Sequence, residues 1–220
     1  MTEQFYGQAY YESHFGPFLL DESYYEVKAQ FWKHAICSLW SLPDSCTMLD
    51  YGCGLGQVTA AFQNCQCFDV AEFSRAFLEK KGRKFYADSN EIPLEQFDVV
   101  ISSHSLEHTP DPFELLKRFR CFAKASGALV LILPIERDFR KHLEVDNNDH
   151  LFAWTFQTIS NLLLASGWTP CLQEHIFDSF CLRQLSRRVN RKTAVRWSWW
   201  LGRALCCYRS MFIVAKKRAP

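Results

Sequence analysis

Short, nearly uninterrupted apolar runs alternate along the chain with segments whose apolar residues recur every three or four positions. The runs are Thr47–Tyr51 (TMLDY), Gln66–Val70, Phe97–Ser102 (FDVVIS) and Ala128–Pro134 (ALVLILP). Continuous apolar runs of this length suit strands covered on both faces, as in a parallel sheet. Val27, Phe31, Ala35 and Leu39 follow a four-residue spacing that predicts a helix, opened by the capping-box form Ser23-Tyr-Tyr-Glu26 and ended before Pro43. Further helices are expected over Gln57–Gln63, over Ala71–Lys81 with Gly82 as its stop, and over Thr155–Ser166 with Gly167 as its stop. Another is opened by Asp111-Pro112 and closed by Gly127. Lys84–Tyr86 predicts a short strand, and residues 169–176 and 209–215 supply two last ones. Seven strands alternating with helices predict an α/β fold: a doubly wound, mostly parallel sheet with helices on both faces. Such sheets take ligands beyond the carboxyl ends of their strands.

Composition sharpens this only in part. A chain of 220 residues fits one domain, and 48% hydrophobic with 22% charged residues excludes global disorder. The expected division is an aromatic helical cap over 1–46, a core over 47–178, and a basic insertion plus last strand over 179–220. The first residues lack a basic stretch followed by an apolar one, and no uncharged apolar run reaches about 18 residues, so a cytoplasmic protein is expected. Ten cysteines without a C-x-x-C pair predict reduced and mostly buried thiols.

The first strand runs into Asp50-Tyr-Gly52-Cys-Gly54-Leu-Gly56. A glycine-rich turn at a strand end lets backbone approach a ligand, with N–H groups facing it. The dinucleotide fingerprint G-x-G-x-x-G needs a third small residue at position 57, which is Gln57, so a nicotinamide oxidoreductase is set aside. Asp69 ends the second strand, where a carboxylate can accept both hydroxyl protons of a ribose. A nucleoside ligand without a pyrophosphate fits both features.

With these motifs the chain resembles the class I S-adenosylmethionine-dependent methyltransferases, a Rossmann-like family, and in particular its ubiquinone-type O-methyltransferases. MLDYGCGLG is similar to the first cofactor motif, CFDVAEF to the ribose-binding strand, and ADSNEIP to the adenine-side loop. FDVVISSHSLEHTPDP, GALVLILP and NDHLFAWTFQTISNLLLASGW continue the resemblance in order to Gly167. The resemblance implies S-adenosyl-L-methionine as cofactor. Asp50 and the backbone of Gly52, Gly54 and Gly56 would hold its methionine part. Asp69 would bind the ribose, Val70 would lie against the adenine, and Asp88 and Ser89 would face the adenine edge. Ser102 and Ser103 would sit beside the sulfonium. It also implies methyl transfer to a small or lipid-like acceptor at oxygen. A non-catalytic module of the same fold, or transfer to nitrogen or carbon, is the alternative.

Methyl transfer from a sulfonium is an in-line displacement in which the protein chiefly positions the reactants. An oxygen nucleophile additionally calls for a base, and His104, His108 and His150 are the candidates, since histidine titrates near neutrality. His150 follows a charged segment of a length suited to closing over substrate. His104-Ser-Leu-Glu107-His108 spells H-x-x-E-H, but Pro110 and Pro112 prevent the continuous helix that a zinc protease requires. Ubiquinone-type relatives place E-x-x-E-H here and bind a divalent ion. His104 replaces the first glutamate, so no metal is expected. The aromatic residues Tyr6, Tyr10, Tyr11, Phe15, Phe18, Tyr24, Tyr25 and Trp32 are expected to cap the site.

The net charge of +1 hides a split. Residues 179–220 carry 11 Lys/Arg and no acid, leaving 14 basic and 24 acidic residues in 1–178. The tail is interleaved with tryptophans and carries no RNA-binding motif. Nucleic acid is therefore not an expected partner, and a peripheral membrane or anionic-ligand contact through 179–205 is the candidate.

Overall fold

A computed structural model describes residues 7–15, 21–43, 45–136 and 150–218, with the side chains of His14, Phe15 and Tyr208 left aside. Two helices come first, α1 (Gln8–Phe15) and α2 (Glu22–Leu39). The body follows as β1 (Met48–Tyr51), β2 (Cys65–Phe68), α3 (Glu72–Lys80), β3 (Phe85–Tyr86), β4 (Phe97–Ser103), α4 (Pro112–Phe122) and β5 (Ala123–Pro134). It is completed by α5 (Phe156–Ala165), β6 (Trp168–Phe177), α6 (Leu182–Ser186), α7 (Arg191–Ala204) and β7 (Tyr208–Lys217).

The strands form one seven-stranded sheet in the order β3-β2-β1-β4-β5-β7-β6. All neighbours pair in parallel except those of β7, which is antiparallel to both β5 and β6. The period-2 alternation of side chains divides the core into two layers. Leu129, Leu131 and Leu133 of β5 pack with Leu116 and Phe119 of α4 and Ile159 and Leu163 of α5. Val130 and Ile132 point the other way, towards Phe31 and Ile36 of α2 and Val195 and Trp199 of α7. The expected doubly wound, mostly parallel sheet with helices on both faces is the fold observed.

Several local expectations are corrected. No helix forms over residues 57–63; the segment runs as successive turns, with Thr59 N–H donating to Gly56 O and Phe62 N–H to Thr59 O. The Arg83 guanidinium donates to the carbonyls of Thr59, Ala60 and Phe62 at 3.3–3.4 Å, occupying acceptors that a helix would have used internally. The N-cap of α2 is Asp21, whose carboxylate accepts from Ser23 and Tyr24 N–H, so the helix starts before the anticipated Ser23 cap. Gly127 does not close α4. That helix ends at Phe122, and Gly127 lies inside β5, where the pairing shifts from Phe97–Ala123 to Val99–Ala128. A side chain there would meet Lys124 O at 2.9 Å, so glycine serves the irregularity of a strand. The cysteines are free but not mostly buried: Cys46, Cys65 and Cys67 are buried, whereas Cys121, Cys171, Cys181 and Cys206 are exposed. Of the aromatic cap, Tyr6 and Phe18 lie outside the described residues, as does the charged segment before His150.

Trp168 opens β6 fully buried, and its indole N–H donates to Leu116 O at 2.9 Å, linking sheet to α4. Trp168→Phe removes that second donor to a helix carbonyl and leaves a gap beside it. It is expected to cost about 1–3 kcal/mol in urea unfolding, with an unchanged m-value.

Candidate functional site

The site is built where β1 and β4 end. Leaving β1, the chain passes through Gly52, Gly54 and Gly56 with φ of +71°, +52° and +64°. At Gly52 a Cβ would fall 2.5 Å from the Ser105 side chain, and at Gly54 one would fall 3.3 Å from the Tyr11 hydroxyl. Both positions combine left-handed backbone with a close neighbour, which only glycine accommodates. The turn is stitched to β2: Gly52 and Cys53 N–H donate to Phe68 O at 2.8 and 3.1 Å. Gly54 N–H donates to Asp69 Oδ2 at 2.7 Å, and Ala71 N–H to Asp69 Oδ1 at 2.9 Å.

Asp69 thus stands at the end of β2 with each carboxylate oxygen held by a backbone donor. Burial raises its pKa, and the Ala71 and Gly54 N–H groups work against that rise. Val70 beside it is 54% exposed. Asp50 lies beneath the turn, 1% exposed, with Oδ2 accepting from Thr59 Oγ1 at 2.6 Å. Burial, then the nearby Cys67, pushes its pKa to about 8, while Thr59 and Arg83 offset part of the effect. Asp50 therefore braces the turn from inside. Two tyrosines brace it from outside. The Tyr11 hydroxyl is 2.9 Å from Ser74 Oγ, and Tyr25 donates to Leu55 O at 2.8 Å. Asp88 is exposed and caps a single 3-10 turn through Asn90 N–H, with Ser89 half-buried behind it.

At the end of β4, Ser102 is fully buried and its Oγ lies 2.6 Å from Ser105 Oγ. Ser105 Oγ donates to Tyr51 O at 3.3 Å, joining this loop to the glycine turn. Ser103 is half-buried at the same edge. His104 adopts φ +50°, an uncommon conformation for a residue with a side chain, held by its N–H to Ile132 O and by Nε2 at 3.0 Å from Ser210 Oγ. Solvent reaches 42% of its side chain. The partial burial of its ring, then His150 and His108, lowers its pKa to about 4.

Glu107 is fully buried, and neither carboxylate oxygen has a hydrogen-bond partner among the described residues. Its nearest cationic-capable neighbours are His104 Nδ1 at 3.7 Å and His150 Nε2 at 3.9 Å. Burial pushes its pKa to about 8, with Glu136 adding to the rise. His150 is hydrogen-bonded through Nδ1 to Glu136, and its ring meets that of His108 edge to face at 4.9 Å. The three expected histidines are therefore brought to one place. Glu107, His108 and His150 each offer a ligand atom within 4.8 Å of the others, so this is the group that could hold a divalent ion. The orphaned carboxylate and the two imidazoles fit one, although no metal was expected from the sequence.

Sequence reasoning missed Glu136, Ser210, Thr59 and Arg83 as supports. Glu136 was findable: it follows the carboxyl end of a central parallel strand, where ligands gather. Ser210 was not, since only the antiparallel insertion of β7 beside β5 brings it to His104.

Residues 25–209 match the model of a family described as a methyltransferase domain. No curated protein matches. Among solved structures, an S-adenosylmethionine-dependent methyltransferase from Archaeoglobus fulgidus is 20% identical with a TM-score of 0.61, covering 95% of this chain and 98% of its own. The 1,6-didemethyltoxoflavin-N1-methyltransferase of Burkholderia thailandensis, solved with S-adenosylhomocysteine, is 18% identical with a TM-score of 0.58, covering 96% and 88%. The cyclase SpnF shares the fold at 16% identity and a TM-score of 0.60, covering 87% and 81%.

A carboxyl group whose folded pKa is raised binds a proton that the unfolded chain has released. Asp50 should therefore make stability fall as pH rises from about 4 to about 8. Asp50→Asn is expected to flatten this dependence by up to about 1.4 kcal/mol per pH unit. Chemical denaturation of both proteins across that range measures the difference.

Proposed function

Because the chain belongs to the methyltransferase-domain family and is a class I S-adenosylmethionine-dependent methyltransferase, we propose that it methylates an oxygen of a small or lipid-like acceptor, with a histidine of the site taking the proton. The observation that carries this reading is the His150 ring held between Glu136 and Glu107, the second of these on the loop that Ser105 joins to the glycine turn. Asp69, Val70, Asp88 and Ser89 bind the nucleoside of the cofactor in this reading, and Gly52, Gly54 and Gly56 receive its methionine part. Ser102 and Ser103 border the sulfonium.

When bound there, the cofactor would supply a sulfonium methyl group that passes to the acceptor oxygen, the carbon–sulfur bond breaking with its electron pair left on sulfur. The acceptor's proton passes to His150. Glu136 orients that ring and stabilises the imidazolium, as carboxylates do for catalytic histidines. His104, with its pKa lowered to about 4, is a weak base and serves as a neutral hydrogen-bonding group. The basic 179–205 segment supplies the contact with an anionic or lipid-like partner.

Asp69→Ala is expected to weaken S-adenosylhomocysteine binding about tenfold or more by calorimetry, through the lost ribose contacts and the freed Gly54 N–H. Unchanged affinity would refute its assignment. With labelled cofactor and a cell extract as acceptor source, the wild type is expected to transfer methyl, and His150→Gln to transfer about 10²–10⁴-fold more slowly. Cofactor binding without any transfer would instead indicate a non-catalytic module. Transfer should persist in chelator. Loss there, restored by a divalent ion, would assign the Glu107–His108–His150 group to a metal.

A further inference from the structure

Helix α7 fastens to the body by one face. Trp199, 8% exposed, packs edge-on against Phe31, Phe177 and His34 at 5.6–6.2 Å. Ala194, Val195, Ser198 and Gly202 are buried beside it. Arg191 pairs with Glu26, and Lys28 with Asp178, so α7 and its leading loop are clamped to α2. The helix is thus rigidly held, and what it shows outward is fixed.

The outward face is unusual. Trp197 and Trp200 are 53% and 66% exposed, although one tryptophan already fills the pocket below. At about 100° per residue, Lys192, Arg203 and Arg196 fall along one side of a solvent sector about 140° wide, and Trp200, Ala204 and Trp197 along the other. All six are exposed. Among the described residues, none of the three cations makes an ion pair. Leu205, 56% exposed, extends the apolar side past the helix end. No acidic residue occurs anywhere from 179 to 220, so nothing in the segment neutralises it. Protein partners generally cover tryptophan with apolar pockets, and a nucleic acid asks for cations alone or with stacking grooves. Two indoles beside a cationic stripe on a convex helix match the headgroup region of an anionic bilayer, where indoles lodge at the interface and cations meet lipid phosphates and carboxylates.

We propose that the outer face of α7 is a peripheral membrane-binding surface that seats Trp197 and Trp200 in the interface of an anionic lipid bilayer. It does not span: no described helix is long and apolar enough to cross a membrane. The location ties the surface to the site. The segment carrying α7 leaves and rejoins the sheet at one point, with Asp178 N–H donating to Cys207 O, and Ser210 just beyond holds His104. An acceptor drawn from the bilayer would thus meet the edge at which the histidines stand. The inference deepens the lipid-like acceptor of the proposed function, but membrane binding itself requires neither cofactor nor acceptor.

The test is co-sedimentation of the full chain with vesicles of phosphatidylcholine alone or of phosphatidylcholine and phosphatidylserine in equal parts. Binding at low salt is expected to favour the anionic vesicles at least about tenfold, to fall in high salt, and to shift tryptophan emission to the blue. Trp197→Ser with Trp200→Ser, and separately Arg196→Glu with Arg203→Glu, should each reduce binding about tenfold or more while leaving thermal unfolding and S-adenosylhomocysteine affinity unchanged. No binding to anionic vesicles, equal binding to neutral ones, or full retention in both variants overturns the proposal. So does loss of RNA binding by the charge-reversed variant without any vesicle binding, which would make the face a nucleic-acid surface. Failure here leaves the methyl-transfer reading intact, and failure of methyl transfer leaves the vesicle result standing.

Discussion

The chain leaving β1 must turn within five residues while staying thin enough for a ligand to lie against it. Left-handed backbone at Gly52, Gly54 and Gly56 makes the turn, and the groups around it hold it there. Asp69 binds it from β2, Thr59 and the buried Asp50 fill the space beneath, Tyr11 and Tyr25 close over the top, and Ser105 abuts its side. Remove the turn and these contacts lose their common reference. The β4 loop with its histidines would no longer be registered against the end of β1.

Burial shapes the electrostatics of that loop. It disfavours whichever form of a group is charged, so it moves acids and bases in opposite directions. Glu107 is raised to about 8 and His104 lowered to about 4, which leaves both neutral at pH 7 although they are only 3.7 Å apart. Their approach is therefore not that of an ion pair: Glu107 is buried, while His104 keeps one side open to solvent. His150 stands opposite Glu136, which faces it from the end of β5 and holds its ring through Nδ1.

Much of this could be read from residues alone. Buried strands announced themselves as apolar runs, and Asp111-Pro112, Thr155 and Gly167 marked helix ends through local hydrogen bonding and backbone sterics. The glycine turn and its aspartates were visible because their spacing follows from short-range geometry. What escaped was set by distant partners. The 57–63 segment has the composition of a helix, but Arg83, some twenty residues onward, takes its carbonyls. Gly127 has the sequence context of a helix stop, yet pairing with β4 turns it into a strand irregularity. Two of the three tryptophans of the Trp197–Trp200 stretch face solvent, a distinction that helical phase against α2 decides and composition cannot.

The placement of β7 has a consequence for the order in which the molecule can assemble. Strand β6 touches the sheet only through β7, which is inserted between it and β5 and is encoded after both. Until residues 208–217 have emerged from the ribosome, β5 keeps a bare, strongly apolar edge, and β6 has no ladder to join. The parallel half can gather early from its neighbouring strands, whereas closure waits on a contact between segments some eighty residues apart. That is a slow, non-local step of the kind that limits folding and leaves an intermediate open to aggregation.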